Sequence, residues 1–328
     1  MALESTTQTF IDSLSGPPLS QLSPEAAHQV LTGLQSQPIP LQDAQIEDVV
    51  WPVGPTGETR IRIVRPAAAG AAEVLPVILY THGGGWVLGD KITHDRLVRE
   101  IANGVGAAVI FVDYVNAPAA KYPTQQEQAY ASLLYAVAHA NELRVDASRL
   151  AIVGDSVGGH MAAWVTLMAK RRGGPRIRFQ VLFYPVVDAI SNNDSYRTFA
   201  NGPWLTADSA RYFFAQEGLT GDETDAWPLR ASLEELRGLP DALVIVDDDI
   251  LRSEGEAYAD RLMQAGVRVT SVRYNETIHD FVMLNPLAGT PATRAAIRQA
   301  IDVLKTALAS RDAVTSVADP AGAERVGV

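Results

Sequence analysis

The sequence predicts an α/β fold, a mainly parallel sheet with helices on both faces. Two observations carry this. Six short β-branched runs recur along the chain: VLPVILYTH, GAAVIFVDY, RLAIVGDS, RFQVLFYP, DALVIVDDD and VRVTSVRY. Helical stretches separate them. Continuous apolar strands that alternate with helices are buried on both faces, as parallel strands are. A third observation bounds the class. The chain has 328 residues, 47% hydrophobic and 20% charged, which is long enough and ordinary enough for a large soluble core, as one elaborated domain or two.

The elements follow in order. Residues 1 to about 42 read as helices, with Ser23 as a cap and Pro24 in the first helical position. Ala27, Val30, Leu31 and Leu34 share one face of that helix. IEDVVWPV and TRIRIVRP form an antiparallel pair around the GPTGE turn. Helices are predicted roughly over Tyr130 to Glu142, Gly158 to Arg172 and Ser253 to Gln264. A last helix opens at Thr290 and Pro291 and aligns Ile297, Ile301, Leu304 and Leu308. From about Val187 to Leu236 the alternation breaks into an aromatic, irregular stretch with NGPWLT, RYFFAQ and DAWPLRA. It reads as an insertion over the C-terminal edge of the sheet, where open α/β sheets place their sites. The tail from about Asp312 has no periodicity and is expected to be flexible.

The charge balance narrows the partners. A net charge of −11 disfavours nucleic acid and anionic membrane surfaces. The basic stretch from Lys170 to Arg178 closes a helix, where cations complement the dipole. There is no cysteine, so thiolate catalysis, disulfides and cysteine metal sites are excluded. No run approaches the roughly 20 apolar residues needed to span a bilayer. The N-terminus has neither a basic start nor an apolar core, so no secretory signal is expected and a cytoplasmic location is.

The chemistry begins at Gly154-Asp155-Ser156-Val157-Gly158, a G-x-S-x-G pattern between a strand and a helix. That context is the elbow that exposes a serine in a strained backbone. A serine hydroxyl needs a base. Of six histidines, His28 and His139 sit on helical patterns, and His94 reads as a structural hydrogen-bonder. His160 projects along the helix after the elbow and reads as packed. His279 follows the last strand, at the sheet edge where the base belongs. The orienting acid comes from Asp247, Asp248 or Asp249, at the end of the preceding strand. Such an acid cluster is costly unless something offsets it, and it could also be a solvated strand end. The three glycines after His82 let backbone N–H groups approach an oxyanion, so Gly83, Gly84, Gly85 and Val157 are the candidate donors, with His82 orienting their loop. Trp86, Tyr184, Trp204 and Phe281 are candidate pocket walls.

HGGGW, GDSVGG, DILRSEGEAYADRL and IHDF stand in the order and at the spacing of the hormone-sensitive-lipase-like family of α/β-hydrolase esterases, bacterial family IV, which the chain resembles over roughly residues 45 to 310. The resemblance implies an α/β-hydrolase fold with a helical cap. It divides the chain into cap helices (1–42), core (43–186), cap insertion (187–236), core (237–311) and tail (312–328). It selects Asp249 through its Asp-x-Leu-Arg context, and Gly84, Gly85 and Val157 as the oxyanion donors. Two departures stand out: Val157 replaces an alanine, and Ala119 replaces a glutamate in NAPAAKYP.

The reading is a carboxylesterase for small, short-to-medium acyl esters, with Ser156, His279 and Asp249 as the triad and with no metal or cofactor. Its partner is then a small-molecule ester, and a homodimer is left open. The alternatives are a receptor that keeps the pocket without turnover, as plant gibberellin receptors on this fold do, or an amide, carbamate or lactone hydrolase with the same triad.

Overall fold

The computed structural model describes residues 2–189 and 192–309; the tail from Asp312 lies outside them. The strands are β1 (Ala44–Trp51), β2 (Thr59–Pro66), β3 (Leu75–Thr81), β4 (Ala108–Asp113), β5 (Val145–Asp155), β6 (Phe179–Phe183), β7 (Asp241–Val246) and β8 (Val269–Arg273). They form one sheet in the order β1-β2-β4-β3-β5-β6-β7-β8. The first two pairings, β1 with β2 and β2 with β4, are antiparallel. All others are parallel. The mainly parallel sheet and the antiparallel pair at its start are thus as the apolar runs predict.

The helices are α1 (Ser5–Ser13), α2 (Pro24–Gln35), α3 (Asp95–Val105), α4 (Thr124–Ala138), α5 (Val157–Arg171), α6 (Asp194–Thr198), α7 (Ala207–Glu217), α8 (Leu233–Leu236), α9 (Arg252–Gln264) and α10 (Pro291–Leu308). Helices α3 and α10 pack on each other and on the sheet, while α4 packs on α5 and α5 lies along β3, β5 and β6. Residues 150–155 of β5 are buried at consecutive positions, which a strand achieves only when both faces are covered.

Two expectations shift. Helix α4 begins six residues before Tyr130, because its first turns bury Gln125, Gln126 and Gln128. Buried glutamines read as a polar loop in sequence. It ends at Ala138, where His139 Nδ1 donates to the Tyr135 carbonyl, so the helix stops short of Glu142. On α2, Ser23 caps as expected, accepting from Ala26 N at 3.2 Å. Ala27 and Leu31 are buried, but Val30 is 41% exposed and lies at the rim of a pocket.

The N-terminal helices are tied to the catalytic edge. At the end of α2, Gln35 Nε2 donates to the carbonyls of Thr93 (2.6 Å) and Met283 (3.0 Å). Its Oε1 accepts from Asn285 N at 2.8 Å. The Phe10 ring of α1 meets the Trp204 ring of the 187–236 segment at 5.6 Å.

The basic stretch is consumed by structure, as expected. Lys170 Nζ donates to the carbonyls of Glu234, Glu235 and Arg237 at 2.6, 3.0 and 2.7 Å, closing α8. Arg172 forks onto Glu127 at 2.8 and 2.6 Å. Among the described residues no helix is long and apolar enough to cross a membrane.

Candidate active site

The site forms where β3, β5, β7 and β8 end. Ser156 sits between β5 and α5 at φ 54° and ψ −122°, a conformation an L-residue adopts only under constraint. The constraint is a backbone crossing. A Cβ on Gly158 would lie 2.1 Å from the Thr81 carbonyl oxygen, so only glycine lets α5 start this close to β3. Ser156 N–H donates to the Phe183 carbonyl at 2.9 Å, which leaves the side chain as the exposed end of the turn.

His279 reaches this serine from the loop after β8. Its Nε2 lies 2.8 Å from Ser156 Oγ. Its Nδ1 lies 2.5 Å from Asp249 Oδ2, and a carboxylate only accepts, so Nδ1 carries the proton and Nε2 is free to take one. The other oxygen of Asp249 accepts from Leu251 N at 2.8 Å, which fixes the carboxylate. Burial disfavours charge on His279. The fields of Asp280 and Asp249 more than offset it, so its pKa stands above the usual histidine value.

The three neighbouring acids have separate fates, and none is a solvated strand end: all are buried. Asp248 accepts from Arg252 Nη1 at 3.0 Å and from Glu276 N at 2.9 Å. Asp247 has no cationic or backbone partner. Burial, then Asp249, push its carboxyl pKa well above the usual carboxylate range. Donor atoms of Asp247, Asp249 and His279 lie within 4.8 Å of one another, a set that a divalent cation could accept.

Gly84, Gly85 and Val157 line the pocket above Ser156, and their N–H groups have no acceptor among the described residues. Gly83 is different. It does not line the pocket, and a Cβ there would lie 2.3 Å from Asp155 Oδ2, so this glycine serves close packing beneath Ser156. His82 Nδ1 donates to the Gly83 carbonyl at 2.8 Å, and its ring stacks on Tyr114 at 4.0 Å. Burial and the neighbouring His94 push its pKa down to about 3, so it is a neutral support for the glycine loop.

The pocket has about 710 Å³ of space between its walls, part of it open to solvent. Trp86 and Trp204 line it; Tyr184 and Phe281 do not. Both are fully buried behind the base, with the Tyr184 ring edge-on to His279 at 4.9 Å and Phe281 5.7 Å from Tyr184. Their polar or apolar character shows in the sequence; the direction in which they point is tertiary. Phe213 and Phe214 of α7, Leu31 of α2 and Asp280 complete much of the wall.

The remaining histidines stand apart. His94 Nε2 faces Asp155 Oδ2 at 3.2 Å beneath Ser156. His160 is buried edge-on to Trp86 and Trp227, and burial lowers its pKa to about 3.

Comparison with known proteins places the chain in a family. Residues 78–283 match the family model described as the alpha/beta hydrolase fold. A carboxylesterase of Mycobacterium tuberculosis is 35% identical over 291 residues, 87% of this chain and 89% of that protein. The solved structure of an esterase from Pseudomonas putida superposes with a TM-score of 0.91 at 45% identity, over 94% of this chain and 99% of that one. Fungal esterase structures from Rhizomucor miehei include one with a TM-score of 0.86 at 33% identity, over 94% and 97%. The chain belongs to the alpha/beta-hydrolase fold family, in the hormone-sensitive-lipase-like branch that its motifs resemble.

Proposed function

We propose that this chain is a carboxylic ester hydrolase that works through a covalent acyl-serine. The observation that carries the reading is the continuous line from Asp249 to His279 to Ser156, ending in a pocket lined by unpaired N–H groups. His279 Nε2 takes the Ser156 proton as Oγ bonds to the ester carbonyl carbon. The carbonyl oxygen becomes an oxyanion and accepts from Gly84, Gly85 and Val157, each such donor contributing about 3 kcal/mol. Collapse of this intermediate breaks the ester C–O bond, and Nε2–H passes its proton to the departing alkoxide. Water then repeats the sequence on the acyl-serine and regenerates Oγ–H. Asp249 keeps the proton on Nδ1 and stabilises the imidazolium. No step needs a metal or cofactor.

Residues 1–42 and 187–236 act as a cap over this centre. The contact between Phe10 and Trp204, and the place of Leu31, Trp204, Phe213 and Phe214 in the pocket wall, support this division. Such a roof suits small soluble esters. β8 is the open edge of the sheet, where a second copy can pair to make a homodimer; light scattering tests this. The cytoplasmic location is tested by cell fractionation.

The test of function is a panel of p-nitrophenyl esters of graded acyl length, with the anilide included. Each buried methylene contributes about 0.8 kcal/mol until the roof is met, so kcat/KM should peak at roughly four to six carbons. Ser156→Ala should lose activity by a factor on the order of 10⁴ while keeping its fold. Labelling by a fluorophosphonate that persists in this variant rules out Ser156 as nucleophile.

A further inference from the structure

Asp280, the residue after His279, occupies a position that the Ser156–His279–Asp249 line does not explain. Its Oδ1 lies 3.5 Å from His279 Nε2, on the side of the ring that faces Ser156. That is too long to compete with Ser156 Oγ at 2.8 Å, and close enough to act on charge at Nε2. Its Oδ2 accepts from Trp204 Nε1 at 2.9 Å. The side chain is 16% exposed and lines the pocket, where its remaining surface is directed. Asp280 and Trp204 hold left-handed backbones, φ 64° and 68°, which bulky or charged L-residues keep only where surrounding contacts fix them.

We propose that Asp280 is a second carboxylate of the reaction centre, a counter-ion to the His279 imidazolium on its Nε2 side, held there by Trp204 of the 187–236 segment. This rests on the ester hydrolase reading and deepens it. When Ser156 gives up its proton, positive charge appears on the ring. Asp249 answers it at Nδ1. Asp280 answers it at Nε2, inside a pocket whose walls are otherwise nearly all apolar, so water screens the pair little. Burial leaves the Asp280 carboxyl pKa above its ordinary value, and His279 itself and the Trp204 donor oppose that shift and favour the ionised form. Proton transfer therefore becomes more favourable when the cap segment is seated, because Trp204 brings the donor that holds the carboxylate in place.

The other ionisable groups around the ring are few. Asp249 is on Nδ1, with buried Asp247 behind it. Asp155, paired with His94, lies beneath Ser156. Tyr184 stands edge-on. Asp248 is met by Arg252, and Arg96, bonded to the carbonyls of Val282 and Met283, is met by Glu100. Asp280 is the one acid facing Nε2 at this distance among the described residues.

The test separates charge from latch. Asp280→Asn removes the charge and keeps an oxygen that accepts from Trp204. On p-nitrophenyl butyrate, its acid limb in kcat/KM should move down by about one unit, because an opposite charge at this range raises a histidine pKa by about that much or more. Its plateau should fall about tenfold, following the weaker base, and its melting temperature should stay near wild type. Trp204→Phe should move the limb in the same direction by less. A limb in Asp280→Asn that coincides with wild type overturns the proposal. If that variant does not fold, an unmoved limb in Trp204→Phe overturns it instead. Wild-type turnover of the butyrate and its loss in Ser156→Ala test the ester reading separately.

Discussion

Ser156 stands between two aspartate–histidine pairs. On the pocket side Asp249 meets His279 at 2.5 Å; on the sheet side Asp155 meets His94 at 3.2 Å. Both pairs are buried. In both, burial works against the charged histidine and is outweighed, by Asp280 and Asp249 at His279 and by Asp155 at His94, so the histidine pKa is raised. They differ in what lies at their far ends. His94 Nδ1 meets Thr93 Oγ1 at 3.0 Å, and the second oxygen of Asp155 accepts from the Tyr80 hydroxyl at 2.7 Å. Every polar atom there is committed to the fold. The His279 pair ends on a serine that opens into a pocket. Composition and burial are shared; the uncommitted end is the difference.

The largest expected effect breaks this comparison most directly. Asp249→Asn should reduce kcat by a factor on the order of 10⁴, since it disturbs the imidazole tautomer and leaves the fold intact. Asp155→Asn should do the reverse. Breaking a buried pair costs about 3 to 5 kcal/mol of stability, and the folded fraction should keep most of its turnover. Urea melts beside initial rates decide the matter, and equal catalytic losses would show that the two pairs are not divided in this way.

The sheet-side pair should also declare itself through pH. The folded-state pKa of His94 lies above the unfolded value of about 6.5, so its charged form stabilises the fold fully below that pH and fades as pH rises through the folded pKa. Burial pushes Asp155 up, but His94 and Tyr80 leave it lowered overall; its contribution holds above about 3.8 and is lost as pH falls through the folded value. The window is therefore about pH 4 to 6.5. The melting-temperature gap between wild type and His94→Gln should be widest near pH 6 and narrow at pH 9. A gap independent of pH would mean that His94 is uncharged in the fold.

Asp247→Asn should matter least. Burial favours the neutral form of Asp247, and a neutral carboxylic acid and an amide alike can offer a donor to Asp249, so kcat should stay within about threefold of wild type. A loss comparable to that of Asp249→Asn would mean that Asp247 ionises during turnover.

The sheet, the elbow and the base were legible because each leaves a local mark: apolar runs, Gly154 and Gly158 around Ser156, and a histidine just past the last strand. The acid was not separable by local signals, since Asp247, Asp248 and Asp249 are adjacent and chemically identical. Only the resemblance singled out Asp249; in the fold Arg252 and Glu276 occupy Asp248, burial raises the pKa of Asp247, and Asp249 is the one that meets His279. Tyr184 and Phe281 were read as walls because an aromatic residue near a site does not disclose its direction. Asp280 stood beside His279 in the sequence. Its importance depends on Trp204, 76 residues away, which no local pattern connects to it.

Gln35 gives the N-terminal segment a second character. One amide bridges the turn before α3 and the loop that follows His279, so α2 acts as a bracket on the base as well as a roof on the pocket. Shortening the chain from this end is therefore a poor way to widen the entrance for bulkier esters. It loosens the loop that aims the imidazole at the same time as it clears the space. Engineering for larger substrates belongs instead on α7, where Phe213 and Phe214 bound the pocket and neither is bonded to the histidine loop.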